Sequence, residues 1–286
     1  MANLLNKIDF AVIISVKNAN PNGDPLNGNR PRENYDGFGE ISDVCIKRKI
    51  RNRLQDMGQE IFVQSDDRRV DNFRSLKDRA DGYLELKQAS KDKEKYAKIA
   101  CEKWIDVRSF GQVFAFKKGE EDNSVSIGIR GPVSIHPAVS ISPIEISSMQ
   151  ITKSVNSETQ KDPDKKGSDT MGMKHRVEFG VYVFYGSINT QLAQKTGFSE
   201  EDSELIKEAL RTLFENDCSS SRPDGSMEVC KLYWWRHNAQ MGQYSSAKVH
   251  KSLHIVPKVE IPKSIEDYNI YHDILEGLAP EIYDGI

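Results

Sequence analysis

Apolar residues dominate Ile8–Val16 and run unbroken from Phe10 to Ile14, rich in isoleucine and valine. Such a run predicts a central strand buried on both faces. It ends in Asn18-Ala-Asn-Pro-Asn-Gly-Asp-Pro-Leu-Asn-Gly-Asn-Arg-Pro-Arg32, turn chemistry too polar to pack and too long for a simple connection. Ser42 then offers an N-cap to a helix with apolar positions at Ile46, Ile50, Leu54 and Met57.

From Ser65 to Trp104 acids and bases crowd the chain, and apolar residues thin to Val70, Phe73, Leu76, Ala80, Tyr96, Ile99 and Trp104. This predicts a helical insertion with solvated faces, outside the main core. Strand signals resume at Gly111–Phe116, at Ser124–Ile135 and around Ile144, Ile146 and Ile151. The segment Lys153–Arg176 is polar, holds Pro163, Gly167, Gly172, Met171 and Met173, and reads as a mobile loop or a protruding hairpin. Val177–Tyr185 is a strong strand. Ser199 caps a second helix through Leu205, Ile206, Ala209, Leu210 and Leu213, and Val229–Trp235 and Leu253–Ile261 supply late strands. Without its insertions the order is strand, helix, strand, strand, helix, strand, the split βαβ pattern of α+β, ferredoxin-like folds.

Forty basic against 43 acidic residues give a net charge of −3. That excludes a uniformly basic nucleic-acid coat and leaves room for a local basic face. No apolar run is long enough for a bilayer, and the start lacks the pattern of a signal peptide, so the expectation is a cytoplasmic chain without membrane contact. Cys45, Cys101, Cys218 and Cys230 form no Cys-x-x-Cys; free thiols in a reducing compartment are expected, with no metal site and no cofactor.

The Asn18 loop imitates a calcium loop, but Asn18 and Asn29 stand where the end ligands should be Asp and Glu. Calcium is rejected. What remains is a stiff surface loop or a cradle of backbone amides, with Arg30 and Arg32 as phosphate donors. Cys45–Arg53 holds five basic residues and no acid. Helical geometry puts Lys47, Arg48 and Arg51 on one flank, either a solvated face or a row of phosphate contacts. His250 and His254 fall in a stretch that reads as strand, with no metal pair. Tyr233-Trp234-Trp235 reads as core and rim, although basic neighbours allow base stacking. No Walker loop, dinucleotide fingerprint, nucleophile elbow or carboxylate pair is present, and nothing demands catalysis.

Taken together, Asn18–Pro25, Asn29-Arg-Pro-Arg32, Glu40–Arg51, Asp106–Gly111, Gly131-Pro-Val133 and Ser221–Gly225 resemble the backbone subunits of type I CRISPR surveillance complexes, Cascade, in particular the I-C branch. The likeness extends over nearly the whole chain. It implies an RNA-recognition-motif-like (ferredoxin-like) palm in three parts (1–64, 105–152 and 177–286), a helical insertion (65–104) and a β-hairpin thumb (153–176). It implies a non-enzymatic scaffold that binds guide RNA (crRNA) and oligomerises head to tail into a helical filament. The guide is then presented to target DNA beside other Cascade subunits in antiviral defence. Carried over, Asn18, Asn20, Arg30 and Arg32 form the loop cradle, and Ser42, Lys47, Arg48 and Arg51 contact phosphates. Met171, Met173 and Lys174 belong to the thumb. Related subunits cut RNA with an aspartate of the early loop, where Asp24 and Asp36 lie. A metal-dependent endoribonuclease is therefore one alternative, and a monomeric single-stranded RNA-binding domain is another.

Overall fold

The computed structural model describes residues 3–115, 126–152 and 171–286. The chain opens with β1 (Ile8–Ala19), a small hairpin of β2 (Gly23–Asp24) and β3 (Arg30–Pro31), and β4 (Phe38–Ile41). Helix α1 (Asp43–Asp56) begins at its Ser42 cap. Next come α2 (Leu76–Gly82), α3 (Leu84–Gln88), α4 (Lys93–Lys103) and α5 (Ile105–Phe110). A ladder of β5 (Gly111–Phe114) and β6 (Ile127–Arg130) precedes β7 (Val133–Ile135), β8 (Ala138–Pro143) and β9 (Ile146–Thr152). The long β10 (Met171–Ile188) leads to α6 (Thr190–Thr196) and α7 (Glu200–Arg211). The last elements are β11 (Met227–Arg236), α8 (Ser246–Lys251), β12 (Leu253–Pro257), β13 (Tyr268–His272) and β14 (Glu281–Asp284).

This is a mixed α+β protein built on one large antiparallel sheet, in the order β14-β11-β1-β10-β8-β4, with β7 and β9 also paired to β10. The alternation of β1 explains its two-sided burial. Ile8, Phe10, Val12, Ile14 and Val16 pack with Ile46, Ile50 and Leu54 of α1 and Ile206, Ala209 and Leu210 of α7. Ala11 and Ile13 point the other way, to Val249, Leu253, Tyr268 and Leu278. Asn18, at φ 56°, breaks this alternation, so that Ala19 rejoins the first cluster. Asparagine tolerates the left-handed region better than most side chains do.

Three expectations from the sequence need amending, and a fourth, the core reading of Tyr233-Trp234-Trp235, holds. Residues 18–32 do pack: Asn20, Pro21 and Pro31 are buried, because the hairpin folds back onto the sheet and α1. The charged segment is not merely solvated. Ala80, Leu86, Tyr96, Ala100 and Trp104 form a second core with Phe62, Phe114 and Ile127, residues drawn from both sides of it. His250 lies in α8, not in a strand, because Ser245 caps a short helix by accepting from Lys248 N; His254 alone is in β12. Finally, Tyr233, Trp234 and Trp235 are 3%, 0% and 1% exposed. They are core residues and offer no ring for stacking.

Candidate nucleic-acid interface

Residues 20–22 join several segments at one point. Asn20 N–H donates to Ser221 O at 2.9 Å, and its side-chain amide donates to Asn29 O at 2.7 Å. Pro21 O faces the Cys45 thiol, which burial pushes up in pKa. Asn22 Oδ1 accepts both Ser42 N–H (2.9 Å) and Ser42 Oγ–H (3.0 Å), while its backbone carbonyl accepts Arg32 N–H (3.1 Å). The loop is thus a rigid platform carrying Arg30 and Arg32. Arg32 reaches Asp24 at 3.4 Å, and its buried Nε meets no acceptor among the described residues. Arg30 donates to Ser148 Oγ at 3.1 Å.

Ser148 belongs to a projecting arm, the paired ribbon of β9 and the start of β10, in register from Ile146↔Val177 to Thr152↔Met171. At about 3.4 Å per residue it extends roughly 20 Å. Side chains opposite one another in such a ladder share a face. Met171, Met173, His175, Gln150 and Ser148 therefore lie on one face, and Lys174, Arg176, Met149, Ile151 and Ser147 on the other. The first face continues into Arg30 and, among the described residues, carries no carboxylate. The second opens on a cleft of about 1080 Å³ lined by Lys17, Asn18, Glu145, Glu178, Glu260 and Lys263 among others. Its three carboxylates make it a poor host for phosphate. Period-two geometry therefore separates Lys174 from the two methionines, and the arm stands between Asn18 and Arg30. Most of the anticipated thumb, residues 153–170, lies outside the described residues.

The basic flank of α1 is not a free row. Lys47 pairs with Asp43 at 3.0 Å and stays partly exposed. Arg48 donates to Val63 O at 2.6 Å, and burial, together with neighbouring Arg51, lowers its pKa. Arg51 is 12% exposed and bonds Asp106 Oδ2 at 2.9 Å; Asp106 is fully buried. Ser42 spends its only hydroxyl proton on Asn22 and accepts from Cys45 N–H. Lys49, which the sequence does not single out, is buried and paired with Asp217, beside Arg222.

The sequence model of the family described as "CRISPR-associated protein Cas7" matches residues 6–273. The chain belongs to the Cas7 family. A relative from Haloferax volcanii, "CRISPR-associated protein Cas7", is 26% identical over 234 residues, covering 76% of this chain and 66% of the relative. Two solved structures are similar over 80% of this Cas7 chain. One, "CRISPR RNA-guided surveillance complex, pre-nicking", has 13% identity, 78% of its own chain covered and a TM-score of 0.47. The other, "CRISPR RNA-guided surveillance complex", has 14% identity, 68% covered and a TM-score of 0.43.

Several motifs of this Cas7 chain hold its architecture together. Asp106 accepts Phe62 N–H and Val63 N–H as well as Arg51, and Arg108 grips Asp202 at 2.9 and 2.8 Å. Gly111 has φ 80°, and a Cβ there would lie 2.2 Å from Ile129 O; one on Gly131 would lie 2.2 Å from Ser109 O. These two glycines let α5 and the β6–β7 turn touch. Asp24 caps a 3-10 turn at Leu26 N–H, and Asp36 is exposed. Among the described residues no three His, Cys, Asp or Glu side chains gather as metal ligands do.

Proposed function

We propose that this Cas7 family chain is a non-enzymatic, guide-RNA-binding backbone subunit of a Cascade-type surveillance complex of the I-C branch. Copies stack head to tail along the guide and present it to target DNA, beside other subunits and in the cytoplasm. The palm in this reading is β11-β1-β10-β8 with α1 and α7 on one face, an order consistent with an RNA-recognition-like fold. The thumb is the arm, with Met171 and Met173 toward the RNA and Lys174 on its far side. The observation that carries the reading is the continuous surface formed by Arg32, Arg30, Ser148, His175 and Met173. It presents the exposed ends of two guanidinium groups and, among the described residues, a ribbon face without carboxylates. Lys47 extends the set at the head of α1.

Such a surface holds backbone phosphates and leaves base edges free. The test is binding of a single-stranded RNA at several salt concentrations. Arg30→Ala with Arg32→Ala should lower the log–log salt slope by roughly 1.4, about 0.7 per lost phosphate contact. Light scattering should show growth of the wild-type particle with RNA length. A slope unchanged in the folded double variant rejects the surface, and a particle that stays monomeric on long RNA rejects the scaffold.

A further inference from the structure

We propose that Asn22 is a positioning residue, locking the arginine hairpin to α1 through Ser42, and that Ser42 serves this clamp and makes no phosphate contact. The inference rests on the RNA-binding reading above. The chemistry of the two Ser42 bonds fixes the orientation of the amide. A backbone N–H only donates, so the Asn22 atom 2.9 Å from Ser42 N is the oxygen, and the same oxygen takes the hydroxyl proton at 3.0 Å. Ser42 Oγ in turn accepts Cys45 N–H at 3.3 Å, which caps the helix. Its one proton is therefore committed, and a phosphate oxygen, which only accepts, has no donor left to meet there.

The other end of the clamp is Arg32. Its N–H donates to Asn22 O at 3.1 Å and its carbonyl accepts Glu40 N–H at 2.9 Å, so Arg32 is held between Asn22 and β4. Its side chain is 38% exposed, and its guanidinium reaches Asp24 at 3.4 Å. Asn22 therefore bridges the anion-facing arginine and the helix that carries Lys47. It is uncharged, and all its strong bonds are internal.

The test uses the full chain and an unstructured single-stranded uridine oligonucleotide, with affinity measured across salt. Asn22→Ala and Ser42→Ala should each weaken binding about tenfold, the loss expected for one charge-assisted hydrogen bond. Each should also lower the salt slope by roughly 0.7, as Arg32→Ala does, although neither removes a charge. Asn22→Ala combined with Arg32→Ala should bind no worse than Arg32→Ala alone, and Ser42→Thr, which keeps the hydroxyl, should bind like wild type. A weakened Asn22→Ala with an unchanged slope, losses that multiply in the double variant, or no loss at all would each overturn the clamp. Amide exchange without RNA is the independent readout: Arg32 N–H and Cys45 N–H should exchange faster in Asn22→Ala, and equal rates overturn the proposal. If the wild-type chain binds no RNA, the functional reading fails while exchange still judges the clamp.

Discussion

Arg51 separates a phosphate-contact role from a structural one most sharply. Arg51 and Asp106 are 12% and 0% exposed, so neither charge has water to fall back on. Asp106 also accepts Phe62 N–H at 2.7 Å and Val63 N–H at 3.1 Å, fastening the link between the main core and the second core. The Arg51 guanidinium lies over the Phe110 ring at 5.0 Å as well. Arg51→Ala strands a buried carboxylate with two backbone donors and no counter-charge. Breaking one side of such a pair costs about 3–5 kcal/mol. At about 2–4 °C per kcal/mol for a chain of this size, the lower figure corresponds to a melting point roughly 6–12 °C lower. Urea unfolding of Arg51→Ala, Asp106→Ala and the double variant measures this directly. The double should cost less than the sum of the singles, since neither charge is then left alone. RNA bound by the folded Arg51→Ala protein should show the wild-type salt slope. A variant of wild-type stability with a slope reduced by roughly 0.7 would refute the reasoning and return Arg51 to the phosphates.

Acid should destabilise the protein in two stages. Burial lowers the pKa of His250 from its ordinary 6.5, so the unfolded chain takes the proton first, and stability present above that pH declines below it. A urea midpoint no lower at pH 5.5 than at pH 7.5, or an equal drop in His250→Gln, would count against this. Burial raises the Asp9 pKa, but hydrogen bonds from His237, Ser246 and Lys7 outweigh it and hold the group below its usual 3.8. Its contribution is complete above that value and vanishes only as pH falls through the lower folded pKa. Incubation with magnesium or manganese should leave guide and paired RNA intact, since Asp24 is engaged with Leu26 N–H and Arg32; cleavage abolished by Asp24→Ala or Asp36→Ala would establish a nuclease. Met171→Ser with Met173→Ser removes side chains that are 64% and 55% exposed, so stability should change by less than about 0.5 kcal/mol. Regular assembly on long RNA should be lost, and particles of unchanged size would show that the methionines are idle.

Strands and helices were legible wherever burial follows a single period. β1, α1 and α7 lie where the apolar spacing and the Ser42 and Ser199 caps place them. The environment of the charges was not legible. No acid interrupts Cys45–Arg53 in sequence, yet Asp106 and Val63 O arrive from 55 and 15 positions away to occupy Arg51 and Arg48. Local spacing cannot report partners that come from another core. The clamp was hidden for a related reason, because Asn22 sits among asparagines of identical local character and only its contact with Ser42, 20 positions on, distinguishes it. The Asp9 cluster did leave a signal, a lone carboxylate inside an otherwise apolar strand. Such a group needs buried partners, here His237 at 2.8 Å and Lys7 at 3.0 Å.

The closed sheet bears directly on the RNA-binding role proposed for this chain. A four-stranded RNA-recognition sheet ordinarily offers aromatic rings on its open face, on which two or three bases stack. Here α8, β12 and β13 cover the face of the large sheet opposite α1 and α7, and Tyr233 and Trp235 are buried beneath them. The proposed RNA contacts lie instead at the rim, where the hairpin and the arm project from the β1 and β10 ends. In the proposed reading, rim side chains such as Arg30 and Arg32 hold phosphates, contacts that carry no sequence information. A subunit proposed to hold a guide whose bases must stay free for pairing gains twice from this arrangement. The covered face adds a third apolar cluster to the fold, and it removes the one surface that would compete with the target strand for the bases.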